Sequence, residues 1–120
     1  MKEETKEWVD IAETDRVMAD AAMRRKLYAQ AIFHSQQNVE KLLKGILVER
    51  DIRFPKIHDL VELAALGSIR LTTARETTLT RLSDHASRSR YPGAHYTEED
   101  TRKLIRESKA LSKWLRKQLI

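Results

Sequence analysis

Few residues in this chain can interrupt a helix. Of 120 positions only three are Gly and two are Pro. They fall at Gly45, Pro55, Gly67 and the Pro92-Gly93 pair, so the intervals between them are long. Pro removes a backbone donor and Gly carries the largest entropic penalty inside a helix. A chain this poor in both suits long helices and excludes a multi-turn β fold.

The apolar residues within those intervals recur at three- and four-residue steps. Residues 4–25 place Trp8, Ile11, Asp15, Met18 and Ala22 on one face. Acids at the start and Arg24-Arg25-Lys26 at the end complement a helix dipole. Residues 27–50 give the clearest pattern, with Tyr28, Ala31, Ile32, Ser35, Val39, Leu42, Leu43 and Ile46 in one stripe and Glu40 four before Lys44. At about 1.5 Å per residue this helix is roughly 36 Å long, the central pillar of a small bundle. A polar band, Gln36-Gln37-Asn38 with Glu40, Lys41 and Lys44, runs beside the stripe and implies buried hydrogen bonds or a partner surface. Gly45 in mid-helix costs about 1 kcal/mol against Ala, which implies close backbone packing there.

Phe54-Pro55 predicts an extended linker packed on the bundle. A short third helix over 58–66 turns Leu60, Leu63 and Ala64 inward and stops at Gly67. Thr73-Ala74-Arg75-Glu76 reads as a capping box opening a helix over 73–89 through Leu79, Leu82 and Ala86. Pro92-Gly93 makes a turn, and Thr97-Glu98-Glu99-Asp100 opens a last helix. That helix carries Leu104, Ser108, Leu111 and Leu115 inward and ends in Lys113, Arg116 and Lys117. No repeat or composition shift divides the chain. The expected architecture is one all-α domain, residues 1–120, built as a five-helix up-and-down bundle.

Composition narrows the function classes. Without Cys there are no disulfides and no thiolate metal sites. His34, His58, His85 and His95 form no two-histidine helical pair, and no carboxylate-rich loop resembles a calcium or magnesium site, so no metal or cofactor is expected. No apolar run approaches the roughly 18 residues of a membrane span, and Met1-Lys2-Glu3-Glu4 leads into charged helix, so the expectation is a cytoplasmic protein without membrane contact.

The net charge of +5 is moderate, but its placement is informative. From residue 57 to 102 every cationic side chain is Arg, and Arg70, Arg75, Arg81, Arg88 and Arg90 face only Glu76 and Asp84. Guanidinium forks match phosphate oxygens, although solvated helix faces give the same pattern. Arg53 with His58 and Arg90 with His95 share one spacing, four residues between partners. An arginine can neutralise a phosphorane and a near-neutral histidine can move protons, which together suit attack of an RNA 2′-hydroxyl on its own phosphate. His58-Asp59 stands at a helix start, where helix capping is the simpler role. Arg90-Tyr91-Pro92-Gly93-Ala94-His95 lies on a turn after the arginine-rich helix, and Tyr91 and Tyr96 could stack on bases. Helix-end chemistry and ring burial explain the same residues equally well. His34 and His85 read as surface or satisfied core residues.

The order of these features resembles the HEPN domain family: Trp8 with Ala12-Glu13-Thr14-Asp15, then Ala31 to Lys44, then Pro55 with His58-Asp59-Leu60, then Arg90-Tyr91-Pro92 and the Thr97-Glu98-Glu99 helix start. The resemblance implies a five-helix bundle, a homodimer, and one of two activities. Many members are metal-independent endoribonucleases, often toxins paired with a minimal nucleotidyltransferase; others bind nucleotides or RNA without cutting. The family signature is Arg, four to six residues, then His. Carried over, it assigns catalysis to Arg90 and His95, with Arg81, Arg88, Tyr91 and Tyr96 as nucleic-acid contacts. Tyr91-Pro92-Gly93 departs from active members, in which a small polar residue follows the Arg on a continuing helix.

Overall fold

The computed structural model describes residues 1–120 as five helices: α1 Glu3–Arg24, α2 Tyr28–Glu49, α3 Leu60–Leu66, α4 Thr73–Arg88 and α5 Glu98–Lys117. The α2 stripe becomes the core: Ile32, Val39, Leu42, Leu43, Ile46 and Leu47 are at most 1% exposed. Helix α2 touches all four others, so every other element is placed by reference to it.

α1 returns antiparallel on α2 through a turn that Lys26 closes with φ +60°. The pairing runs from Gly45 against Trp8, through Asn38 Nδ2 donating to the Ala12 carbonyl at 2.7 Å, to His34 Nδ1 at 3.0 Å from Asp15. A Cβ at Gly45 would stand 3.2 Å from Trp8 Cβ, so the close packing expected there is present. The buried face of α1 differs from the expected stripe. Thr5, Ala12, Ala19 and Ala22 are buried, while Ile11, Val17 and Met18 are about half exposed. Among the helices, α1 comes into close backbone contact with α2 only. Facing a single helix at close range it buries a narrow row of small residues, and the larger apolar ones fall outside the seam.

Most of the polar band of α2 is internal: Gln36, Asn38, Glu40 and Lys44 are buried, while Gln37 and Lys41 are half-buried. Glu40 is 1% exposed and meets Lys44 at 3.4 Å, Lys41 at 3.3 Å and His58 Nδ1 at 3.0 Å. Burial pushes the Glu40 carboxyl up, but Lys44, the His58 hydrogen bond and Lys41 outweigh it and hold the pKa below the usual range. Phe54 packs on the core and meets Trp8 edge-on at 6.4 Å, so the linker lies against the bundle as expected.

Two helix starts differ from the sequence reading. α3 begins at Leu60, and Asp59, not His58, caps it by accepting from the Glu62 N–H. His58 is instead pulled toward Glu40. α4 is capped by Thr72, whose hydroxyl accepts from the Arg75 N–H, one residue before the expected box. Adjacent threonines carry the same cap chemistry, and the extended backbone at Thr72 (ψ 160°) decides between them. α5 starts at its expected cap, with Thr97 accepting from Asp100 N–H at 3.1 Å.

Candidate nucleic-acid interface

Helix periodicity builds the site. On α4 residues 81, 85 and 88 follow at steps of four and three, so Arg81, His85 and Arg88 share one face. The helix ends at Arg88, and the chain turns through Tyr91-Pro92-Gly93, where Gly93 takes φ +91°, a conformation that favours glycine. Residues 94–97 then lead into α5, which contributes Asp100 and Lys103. These parts enclose a cleft of about 660 Å³, floored in part by Ile32 and Leu104. Arg81, Arg88 and Lys103 stand against Asp100, and Arg81 also meets Glu107 at 3.6 Å, so three cations against two carboxylates leave the cleft net positive and suited to phosphate.

Tyr96 fastens the loop to α4. Its hydroxyl donates to the His85 carbonyl at 3.1 Å, and its ring meets the His85 ring edge-on at 5.7 Å. Arg88 Nη2 stands 3.1 Å from His85 Nδ1. A guanidinium only donates, so Nδ1 accepts and the His85 proton sits on Nε2. Burial, then the Arg88 charge, lowers the His85 pKa, with Arg81 adding to this and Asp84 and Asp100 opposing it. His85 is therefore a neutral ring that orients Arg88. His95 lies on the exposed lip, and Tyr91 is 70% exposed.

Five of the six residues singled out from sequence, Arg81, Arg88, Tyr91, His95 and Tyr96, line this cleft. Arg90 does not; its guanidinium carbon lies 4.7 Å over the Phe33 ring of α2. Arg53 does not line this cleft, and its spacing partner His58 is engaged by Glu40. Sequence reasoning missed His85 and Lys103. The i, i+4, i+7 spacing of Arg81, His85 and Arg88 was the available signal for the first. No group of three or more His, Asp or Glu side chains is arranged to hold a metal ion, and no helix is long and apolar enough to cross a membrane.

A five-helix bundle with a basic, imidazole-bearing cleft at the α4–α5 turn defines the class. The HEPN domain model matches residues 5–118, and the chain belongs to the HEPN family. An archaeal HEPN homologue, ST0689, is similar over the full length of both chains, at 29% identity and TM-score 0.78. TT1696 from Thermus thermophilus shares the fold at TM-score 0.87 and 20% identity, over 98% of this chain and all of the other. No functionally curated protein matches the sequence.

Proposed function

We propose that the protein is a metal-independent endoribonuclease whose cleft holds the RNA backbone, with Arg88 and His95 as its reacting pair. The observation that carries this reading is the joint presence of Arg88, His85 and His95 around one positive cleft. Six residues separate Arg88 from His95, within the four-to-six interval of the family signature, so the signature fits Arg88 as well as Arg90. Arg90 is held on Phe33, whereas Arg88 faces the cleft.

In this mechanism His95 takes the proton of a ribose 2′-hydroxyl, and the oxygen attacks the adjacent phosphorus. Arg88, held by His85, neutralises the pentavalent phosphorane. The P–O5′ bond breaks, leaving a 2′,3′-cyclic phosphate and a 5′-hydroxyl that gains a proton from solvent or a protonated imidazole. Exposed Tyr91 stacks on a flanking base.

RNA incubated with the purified protein and EDTA tests the proposal. Cyclic phosphate ends should appear, and Arg88→Ala should cut the rate about 10²–10³-fold, the usual effect of removing one charge-stabilising group. Arg90→Ala should retain most of it. The reverse ranking returns the role to Arg90; no cyclic ends at all leaves the second reading. That reading, a non-catalytic RNA- or nucleotide-binding module, is favoured by the Tyr91-Pro92-Gly93 turn, which places His95 on a loop rather than a helix. It predicts binding that weakens steeply with salt as counterions are released. The homodimer, the nucleotidyltransferase partner, the toxin role and a cytoplasmic location accompany the first reading. Light scattering at micromolar concentration, co-purification, and growth arrest relieved by His95→Ala test them.

A further inference from the structure

α1 and α5 both pack on α2, yet no Cα of one comes within 8 Å of a Cα of the other. Between them lies a second cavity of about 220 Å³, which shares no residue with the His85/His95 cleft. Arg16, Lys109, Lys113 and Arg116 stand around it. Asp20 binds Lys109 at 2.7 Å and Arg16 at 2.8 Å; Glu13 binds Arg16 at 2.6 Å and meets Arg116 at 3.7 Å; Lys113 pairs with neither. Four cations against two carboxylates leave an excess of two positive charges.

The serines lining this cavity carry the argument. Ser35, Ser108 and Ser112 are 5%, 3% and 7% exposed, and their hydroxyls bond to no other group of the protein. The side-chain polar atoms that are both unpartnered and sealed off are Thr5 Oγ1 and Ser83 Oγ. The three serine hydroxyls therefore open onto the space they line. The serines sit on α2 and α5, which pack on each other, but α1 stays clear of α5 and leaves the hydroxyls lining the gap between them. Hydroxyls that line a hollow ringed by cations are donors placed to bond the oxygens of whatever occupies it.

We propose that this hollow binds a small phosphate-class oxyanion, its oxygens taken by the hydroxyls of Ser35, Ser108 and Ser112 and its charge by Lys113 and Arg116. The volume falls below the roughly 300–1,000 Å³ of sites for drug-sized ligands. It suits a phosphate group with little attached, not an oligonucleotide. Because the two cavities are separate, the assignment stands or falls independently of ribonuclease activity.

Inorganic phosphate titrated calorimetrically into the full chain, at ionic strength held constant with chloride, tests it. Wild type should bind one serine-dependent equivalent, distinct from any phosphate held in the Arg88 cleft, and gain thermal stability in proportion to occupancy. The Ser108→Ala/Ser112→Ala variant should bind at least tenfold more weakly, while melting no lower than wild type in phosphate-free buffer. That second readout separates loss of the site from loss of the fold. Arg88→Ala, in the other cleft, should leave the serine-dependent equivalent unchanged. Adenosine monophosphate in place of phosphate identifies the source: serine-dependent binding of both assigns recognition to the phosphoryl group, and of phosphate alone to the free ion. Equal phosphate binding by wild type and the serine variant, loss only in Arg88→Ala, or no binding at all means the hollow holds water and overturns the proposal.

Discussion

His58 and His85 offer the same Nδ1 atom to partners of opposite charge. At His58 the partner is the Glu40 carboxylate, 3.0 Å away, so Nδ1 carries a proton and donates. At His85 the partner is the Arg88 guanidinium at 3.1 Å, so Nδ1 must be bare. The first arrangement ties a linker to the pillar of the bundle, with every member of the Glu40 cluster engaged. The second leaves a cationic fork aimed into open space. A histidine spent on a carboxylate is structural; one spent on a cation can organise a site for anions.

The comparison breaks most sharply at Glu40. Glu40→Ala strands Lys44, itself 7% exposed, and should cost about 3 kcal/mol in urea unfolding, the usual consequence of removing one partner of a buried pair. If His58→Ala costs as much, burial of Glu40 is not the source. On the proposed ribonuclease reading, His85→Leu should lower RNA cleavage about tenfold through kcat, since Arg88 loses its anchor without leaving the cleft. His85→Asn, which retains an acceptor, should recover most of it. Equal losses in both variants would mean that Nδ1 does not position Arg88.

Acid separates the two sites by pH window. The lowered His85 pKa means the unfolded chain binds the proton more readily, so stability falls as pH drops below the unfolded value near 6.5. The lowered Glu40 pKa acts in the same direction but in a lower window, below the unfolded carboxylate value near 4.3. His85→Asn should flatten only the upper slope and Glu40→Gln only the lower one, followed by melting temperature against pH. The smallest effect belongs to His58→Ala. Its ring is 76% exposed, and the change should cost about 0.5 kcal/mol, within the range of screened surface pairs.

The fold was largely legible because α2 repeats its apolar stripe over six turns, and a helix buried against four neighbours must be apolar on a broad face. α1 was harder to read. Its inner face is a row of Thr5, Ala12, Ala19 and Ala22 set by one neighbour, and Ile11 and Met18 carry a stronger signal than the residues that pack. Thr72 and Thr73 are indistinguishable as caps until the backbone is known. At the site, Arg81, Arg88, Tyr91, His95 and Tyr96 were accessible because charge and turn chemistry cluster them along the chain. Arg88 and Arg90 could not be told apart by spacing to His95. What separates them is Phe33, more than fifty residues earlier, whose ring lies under Arg90. The hollow between α1 and α5 was invisible for the same reason, since no local pattern brings Ser35 beside Ser108 and Ser112.

α1 rests on α2 through the most extensive helix–helix seam in the molecule, and only its link to α5 is loose. Its bonds to α5 are all ionic, through Asp20 and Glu13. Concentrated salt shortens the reach of such bonds to about 3 Å at 1 M and should loosen the link between α1 and α5 while the apolar seam between α1 and α2 holds.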